Sequence, residues 1–340
     1  MGGNAFEKVE RISREEYSRI VEILKDLYNG LNLTFAIPKE LKDKKDYGDI
    51  DTLVCSECKS QQREVMDLLI KELQCIDHSK CNNTAVSLLT PQYYQIDVNF
   101  VKKENFLTSK AFYSHGDFSY CLGKMLWRHN LKLSQEGLFY KTEHLSNFTK
   151  TECLLPLSKD MNKIYQFLQI TRVEELLDEH TQFTQTEIID TFLKTPYFKQ
   201  FASDPKAYKR LLLKNRQRRP MVVRFYEICE NFRVENIENA FMPTQEDILR
   251  FFEKHHDLDL LLEKQKEREE EMKLNRKAHE KFNGNTIIQW GLQVHRKNMG
   301  VLLSTVKNGR SDKEYSEWIL NTELDEIHKL VSQLALELNQ

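Results

Sequence analysis

Tyr47-Gly48-Asp49-Ile50-Asp51-Thr52-Leu53-Val54 is the segment from which both the fold and the chemistry of this protein can be predicted. Its apolar and β-branched residues predict a strand. Asp49 and Asp51 lie two residues apart, so both side chains leave the same face of the sheet. Two carboxylates on one face repel each other unless a positive charge lies between them. Magnesium, a hard cation that prefers oxygen ligands, is the expected occupant.

A second strand supplies a third carboxylate. Residues 95–100, Gln95-Ile96-Asp97-Val98-Asn99-Phe100, alternate apolar side chains with Asp97 and Asn99, which predicts one apolar face and one polar face. A third carboxylate on an adjacent strand would complete a site for two metal ions about 3.5–4 Å apart. Such a pair of ions activates an attacking hydroxyl and stabilises a leaving phosphate. The alternative is that all three carboxylates lie on a solvated face without a common ligand.

The residues around these strands predict a small mixed sheet with helices on one face. Ser13 and Glu16 form a capping-box pattern at the start of a helix. Residues 31–37 and 84–89 have the apolar composition of strands, and residues 59–75 have helical periodicity.

The C-terminal half is predicted to be helical. Residues 131–139 predict a hairpin, and beyond residue 157 nearly every segment has helical periodicity. Residues 258–281 are highly charged and predict a long solvated helix. We therefore predict an α+β fold, with a catalytic domain over residues 1–150 and a helical domain over residues 151–340 that binds the acceptor.

Composition gives only weak limits on function. The 340 residues suffice for two domains. With 50 basic and 52 acidic side chains the formal charge is −2, so a nucleic-acid partner requires a local basic patch. The densest basic stretch contains Lys206, Lys209, Arg210, Lys214, Arg216, Arg218, Arg219 and Arg224. Its interleaved aromatic residues favour nucleic-acid binding, and the alternative is a solvated helix face whose aromatic residues pack inward.

The sequence carries no apolar run of about 20 residues and no signal-peptide core, which predicts a protein without a membrane span. Seven cysteines, an odd number, indicate free thiols in a reducing compartment such as the cytoplasm or nucleus. A zinc site would use Cys55, Cys58, Cys75, His78 and Cys81. The intervening helix separates the two groups by about 20 Å at 1.5 Å per residue, so ordinary thiols are the preferred interpretation.

Four segments together resemble the DNA polymerase beta superfamily of nucleotidyltransferases. Residues 47–54 resemble its signature strand, and residues 95–98 resemble the strand of its third carboxylate. Residues 111–117 look like the aromatic and glycine loop that cradles the incoming nucleotide in family X polymerases. Residues 126–139 are similar to the helix and hairpin that follow that loop. The resemblance covers about a third of the chain.

The resemblance implies a palm-type domain that transfers a nucleoside monophosphate from an NTP or dNTP to a hydroxyl. Asp49, Asp51 and Asp97 would bind two Mg²⁺ ions, with Mn²⁺ as an alternative, and Asp97 would assist deprotonation of the acceptor. The implied acceptor is the 3′ end of a nucleic acid, RNA slightly ahead of DNA. Residues expected to contact the nucleotide are Gly48, Lys39, Lys42, Lys44, Lys45, Tyr113, Ser114, His115, Gly116 and Lys124.

One departure from the family pattern keeps two other functions open. The superfamily ends its first strand with Gly-Gly or Gly-Ser, whereas this chain has Ala36-Ile37-Pro38-Lys39. The nearby lysines, or Gly2-Gly3-Asn4 folding back, would then have to replace those phosphate contacts. A catalytically inactive RNA-binding or scaffold subunit is the first alternative, and a protein nucleotidylylating enzyme is the second. Residues 281–300 resemble a C-terminal segment of CCA-adding enzymes and bacterial poly(A) polymerases.

Overall fold

A computed structural model describes residues 5–56, 58–80, 84–142, 153–206, 209, 219–232, 242–292, 294 and 296–338. The chain forms two compact units. The first contains the described residues up to Thr142 together with Cys153–Lys254, and the second contains His255 onward. The first unit therefore takes in about 100 residues that the sequence analysis assigned to the helical domain.

A mixed sheet forms the centre of the first unit. Among the described residues its strands are arranged in the order β2-β4-β7-β6-β5, with only β4 and β7 parallel. The strands are β2 (Phe35–Ala36), β4 (Asp49–Cys55), β5 (Asp77–Lys80), β6 (Ala85–Leu89) and β7 (Gln95–Val101), and a separate short pair consists of β1 (Ile12–Ser13) and β3 (Asp46–Tyr47).

The register of β4 and β7 fixes the position of the acidic residues. Asp49 pairs with Gln95, and Asp51 pairs with Asp97. Paired residues of neighbouring strands point to the same face of a sheet. The two strands therefore bring all three aspartates to one face, as the sequence predicts.

Two helices cover the opposite face. Helix α1 (Arg14–Gly30) is capped by Ser13, whose side chain accepts the Glu16 N–H, and this confirms the Ser13 half of the predicted capping box. The Glu16 carboxylate pairs with Arg19 over 2.8 Å. Helix α2 (Lys59–Glu72) lies within the predicted helical segment. Apolar side chains of both helices and of the sheet form one buried core, which includes Leu24, Tyr28, Ile50, Val54, Val65, Leu69, Ile96 and Val98.

The sequence analysis predicted the central strands more accurately than the edges. Residues 31–37 contain only the two-residue strand β2. Strand β5 was not expected, because Asp77-His78-Ser79-Lys80 has no apolar alternation. Its pairing with β6 forms the edge of the sheet, and edge strands tolerate such polar residues.

The rest of the first unit is mainly helical. The predicted hairpin is confirmed as β8 (Leu131–Ser134) and β9 (Gly137–Lys141), to which β10 (Leu154–Ser158) adds a third strand. Gly137 has a φ of +126°, and a Cβ there would lie 2.2 Å from the Ser158 carbonyl oxygen, so only glycine fits. The helices are α3 (Phe106–Tyr113), α4 (Phe118–Leu126), α5 (Met161–Phe167), α6 (Val173–Leu177), α7 (Gln185–Asp190), α8 (Pro196–Ala202), α9 (Pro220–Asn231) and α10 (Gln245–Phe252).

The second unit is helical. Its helices are α11 (His255–Lys281), α12 (Gly284–Gln289), α13 (Arg296–Lys307), α14 (Asp312–Asn321) and α15 (Leu324–Leu338). Helix α11 is the long charged helix that the sequence predicts. A core that includes Ile287, Leu302, Ile319 and Val331 holds the unit together. The whole is an α+β structure with small mixed sheets and a helical C-terminal region. Within its described residues, no helix has the length and apolarity to cross a membrane.

Candidate active site

Three carboxyl groups meet on the face of the sheet that α1 and α2 leave uncovered. The side chain of Asp49 lies close enough to that of Asp97 to affect its pKa. Asp51 lies close enough to both for their charges to raise its pKa. The three residues singled out from the sequence are thus in one cluster.

The cluster is electrostatically unfavourable in the absence of a cation. Burial is the main cause that raises the pKa of Asp51 well above its usual range, followed by the charges of Asp49 and Asp97. Burial likewise raises the pKa of Asp97, and its hydrogen bonds offset only part of that effect. Raised pKa values among neighbouring carboxyls are typical of acid sites that bind metals or transfer protons.

Asp97 is held by two polar neighbours that the sequence analysis did not select. Ser87 Oγ on β6 donates to Asp97 Oδ1 over 2.6 Å. Gln95 Nε2 donates to both carboxyl oxygens, over 2.9 and 3.1 Å. Gln95 is buried, and its Oε1 accepts the Ala5 N–H over 3.0 Å. Gln95 therefore links the main chain at Ala5 to the carboxyl group of Asp97. Gly2, Gly3 and Asn4, which precede Ala5, lie outside the described residues.

Tyr113 is the member of the predicted nucleotide loop that reaches the carboxylates. Its hydroxyl donates to Gln135 Oε1 over 2.8 Å and lies 3.5 Å from Asn99 Oδ1. Burial, followed by the charges of Asp51 and Asp97, raises the pKa of Tyr113 to about 12. Asn99 in turn donates to Asp51 Oδ1 over 3.3 Å. Tyr113 and Asn99 thus connect the end of α3 to the acidic cluster.

Glu40 is a fourth carboxylate beside the cluster, and the sequence analysis missed it. Its charge contributes to the raised pKa of Asp51. Glu40 Oε1 accepts from Lys44 Nζ over 2.7 Å, while Oε2 is buried without a hydrogen-bond partner. In the sequence, Glu40 is an acidic residue within the lysine-rich turn that precedes β4, and no pattern distinguishes it there.

The lysines expected to contact phosphate have different surroundings. Lys39 Nζ donates to the main-chain carbonyls of Leu176 and Asp178. Lys42 pairs with Glu187 over 2.8 Å, and Lys44 pairs with Glu40. Lys45 is exposed. Phosphate contacts from Lys39, Lys42 or Lys44 would each require an existing contact to break.

The remaining residues of the predicted nucleotide loop lie in the protein interior or on another side of it. Ser114 Oγ accepts the Lys39 N–H over 3.1 Å and is buried. His115 is also buried, with its Nε2 3.1 Å from the Leu176 carbonyl oxygen. Its ring packs edge-on against Phe183. Gly116 has a φ of +62° and lies at the exposed turn before α4.

Burial lowers the pKa of His115 to about 4, so the ring is neutral at pH 7. The sequence analysis placed His115 near the nucleotide, but its contacts are those of a core residue beneath α6. Gly48 is buried immediately before β4. Lys124 lies over the Tyr120 ring, with Nζ 4.9 Å from the ring centre. These placements bring Tyr113 and Gly48 to the carboxylates and give His115 and Lys124 other contacts.

The predicted basic stretch is only partly described. Arg210, Lys214, Arg216 and Arg218 lie outside the described residues. Lys206, Lys209 and Arg224 are exposed, and Arg219 pairs with Asp117 over 2.8 Å. The aromatic residues Phe198, Phe201 and Phe225 are buried, so they cannot stack on bases.

The donor chemistry of the cluster fits a hard divalent cation, because three or four carboxylates supply only oxygen ligands. Their present orientation is not that of a metal shell. Over the described residues, no group of three or more His, Cys, Asp or Glu side chains is arranged to hold a metal ion. This includes Cys55, Cys58, Cys75 and His78, whereas Cys81 is outside the described part. The hydrogen bonds from Ser87 and Gln95 to Asp97 are one reason why the carboxyl groups are not arranged as metal ligands, since they direct the Asp97 oxygens toward β6 and Gln95.

No protein-family model matches the chain. No curated protein matches it either. The function therefore has to be inferred from the geometry of the site.

Proposed function

We propose that this protein is a magnesium-dependent nucleotidyltransferase, which moves a nucleoside monophosphate from an NTP to a hydroxyl acceptor. The observation that carries the proposal is that two parallel strands place Asp49, Asp51 and Asp97 on one face, where their charges affect one another. Such a cluster is costly to the fold, and a bound cation would offset the repulsion. The resemblance of residues 47–54 and 95–98 to the polymerase beta palm supports the same conclusion.

The residues of the cluster divide the work as follows. Asp49 and Asp51 would hold the metal ions and, through them, the triphosphate. Asp97 would accept the proton of the acceptor hydroxyl, whose oxygen forms the new bond to the α-phosphorus while the bond to the leaving pyrophosphate breaks. When bound, magnesium supplies charge neutralisation on the phosphates and lowers the pKa of the attacking hydroxyl. The carboxyls must reorient for this role, but the strand register needs no change.

The acceptor that we propose is the 3′ end of a nucleic acid, with RNA slightly ahead of DNA. The test combines the purified full-length protein, magnesium, labelled NTPs or dNTPs, and RNA, DNA or protein acceptors. We expect label on a nucleic acid with the wild type and none with Asp51→Asn. Label on protein alone would establish the nucleotidylylating alternative. The proposal is wrong if no acceptor is labelled under any of these conditions.

A catalytically inactive scaffold is the second candidate, and a specific observation favours it. Lys39, Lys42 and Lys44 all have other partners, and the chain lacks the Gly-Ser motif. Titration calorimetry with ATP separates the two functions. An enzyme should give heat that depends on magnesium and is lost in Asp51→Asn. A scaffold should give none.

A further inference from the structure

A second surface of the first unit combines the aromatic and basic side chains that are typical of nucleic-acid-binding surfaces. Helix α4 continues into a 3-10 turn, Trp127–His129. Tyr120, Lys124, Trp127 and Arg128 are spaced i, i+4, i+7 and i+8 along it, so they lie on one side. At 1.5 Å per residue they extend over about 12 Å. The opposite side of α4 is buried and contains Phe118, Cys121, Leu122, Met125 and Leu126.

Both aromatic rings on this surface have cations over them. Lys124 Nζ is 4.9 Å from the centre of the Tyr120 ring, and Arg219 Cζ is 4.7 Å from it. Lys141 Nζ, on strand β9, is 4.5 Å from the centre of the Trp127 ring. Three chain segments thus converge on the side of α4 that faces solvent. We call Tyr120, Lys124, Trp127, Arg128, Lys141 and Arg219 the α4 surface.

Trp127 is the most unusual member of the α4 surface, because 59% of it is exposed. A tryptophan is a costly residue to leave in water, since burying large aromatic rings dominates the energetics of cores and interfaces. It lines an open cavity of about 630 Å³ together with Arg128, His129 and Gln200. The ring offers a face for stacking, and the three neighbours offer hydrogen-bonding groups at its edge.

The charge of the α4 surface is opposite to that of the whole chain. Its four cations, Lys124, Arg128, Lys141 and Arg219, face two acidic partners. Asp117 accepts from Arg219 over 2.8 Å, and Asp204 pairs with Arg128 over 2.5 Å. The sum of these charges is +2, in a protein whose formal charge is −2. Such a local positive field attracts phosphates even when the molecule as a whole does not.

We propose that the α4 surface binds single-stranded nucleic acid, with Trp127 stacked on an unpaired base and the cations bound to flanking phosphates. An exposed aromatic residue between cations is the combination that binds unpaired bases, because every base has a face for stacking. An acidic protein would use the cations but would not need the ring. The choice of nucleic acid rests on the proposed function, for which this surface would hold the acceptor strand.

The test measures binding of fluorescent 12-nucleotide RNA and DNA strands by anisotropy, with the full-length protein in EDTA so that no transfer occurs. We expect Trp127→Ala to weaken binding about ten-fold or more, since one stacked base contributes about 1–3 kcal/mol. Trp127→Phe should retain most of the affinity. Lys124→Ala and Arg128→Ala should each reduce the slope of log K against log salt by about 0.7.

Two adjacent residues of α10 provide matched controls. Arg250 and Phe251 are also an exposed cation and a partly exposed ring, 41% exposed for the phenylalanine. Arg250→Ala and Phe251→Ala should leave binding unchanged. A duplex of the same sequence should bind at least about ten-fold more weakly, because its bases are stacked internally.

Several results would overturn the proposal. These are absence of binding by the wild type, equal binding of duplex and single strand, or unchanged affinity in Trp127→Ala. Displacement of the strand by polyglutamate at equal charge concentration, with no effect of Trp127→Ala, would instead identify a surface for acidic proteins. Asp51→Asn should bind strands normally. Strand binding by the wild type, together with no nucleotide transfer by the wild type in the assay with magnesium and NTPs, would refute the proposed enzymatic function and leave the α4 surface intact.

Discussion

The two faces of strands β4 and β7 are built from alternating residues of the same two segments, but the apolar face stabilises the fold and the acidic face destabilises it. One face packs against α1 and α2 and is almost completely buried. Even its polar residue is satisfied, since the hydroxyls of Thr52 and Tyr28 lie 2.9 Å apart. The other face collects three carboxyls, and burial raises the pKa of two of them, Asp51 and Asp97.

Within each of these strands, alternate residues therefore serve folding and chemistry. The apolar face supplies burial, which contributes about 25 cal/mol for each Å² of apolar surface removed from water. The acidic face opposes folding and is tolerated because the apolar face holds the strands in register. Substitutions of neighbouring residues should therefore have unrelated effects, which can be tested at Ile96 and Asp97.

The largest expected effect is that of Asp97→Asn on nucleotide transfer. If Asp97 binds the catalytic metal and takes the proton of the acceptor hydroxyl, its loss should lower kcat by about 10³-fold or more. The measurement is single-turnover transfer with saturating NTP. Circular dichroism should show a folded protein. Retention of more than about a tenth of the wild-type rate would remove Asp97 from the reaction.

The adjacent substitution Ile96→Ala should affect stability. Ile96 is fully buried, and truncating a buried isoleucine to alanine costs about 2–5 kcal/mol in the free energy of unfolding. Urea denaturation of the first unit measures this. Ile76→Ala is the control, because Ile76 is 53% exposed and should change stability by less than about 0.5 kcal/mol. The folded Ile96→Ala protein should keep its affinity for magnesium, and a large loss of affinity would show that the two faces are not independent.

The sequence was sufficient to predict the central strands and their acidic face, because residues 95–100 alternate strictly and Asp49 and Asp51 are two residues apart. These spacings leave one arrangement that buries Ile50, Ile96 and Val98 on the face opposite the carboxylates. It was insufficient where a contact depends on strand order. The bond from Ser87 to Asp97 exists because β6 lies beside β7, and no pattern within either segment indicates that neighbour. Glu40 reaches Asp51 through the course of a turn whose conformation cannot be predicted from composition.

Distant packing explains the other differences. His115 is buried by contacts with Leu176 and Phe183, which are more than 60 residues further along the chain. The boundary between compact units lies at Lys254, while the sequence analysis had placed a domain boundary at residue 150. Helical periodicity is similar on both sides of Lys254, so the pattern contains no signal for which helices pack with the sheet.

Substitution of His115 tests whether this residue belongs to the buried core or to the acidic site, and the expected effect on stability is smaller. Burial lowers its pKa to about 4, against about 6.5 when unfolded. Between these values the unfolded state binds more protons, so stability is complete above pH 6.5 and is lost as the pH falls toward 4. The loss should amount to about 3 kcal/mol at 1.36 kcal/mol per pH unit.

The measurement for His115 is urea denaturation from pH 7 to pH 4.5, for the wild type and for His115→Gln. The difference in unfolding free energy between the two should shrink as the pH falls, because only the wild type has this titration. His78→Gln, at an exposed position, should run parallel to the wild type. If His115→Gln also runs parallel, the ring is not held neutral by the core and a position near the nucleotide becomes tenable.

The smallest expected effect concerns the cost of the acidic face itself. Burial and neighbouring carboxyls raise the pKa of Asp51 in the folded state, so the folded state binds its proton more strongly. Its stability is therefore fully present below the unfolded pKa of about 3.9 and is lost as the pH rises toward the folded value. In EDTA at pH 7, Asp51→Asn should raise Tm by about 2–4 °C, which corresponds to about 1 kcal/mol. At pH 4 the two proteins should melt nearly together.

Magnesium should reverse this order, because a ligand that binds only the folded state stabilises it. Saturating Mg²⁺ should raise the Tm of the wild type and leave that of Asp51→Asn unchanged, so that the wild type becomes the more stable protein. Asp26→Asn on the exposed side of α1 controls for a general effect of charge. A lower Tm for Asp51→Asn at pH 7 in EDTA would mean that this carboxylate stabilises the fold. The acidic face would then have the same role as the apolar face, and the physical reason to place a cation there would be lost.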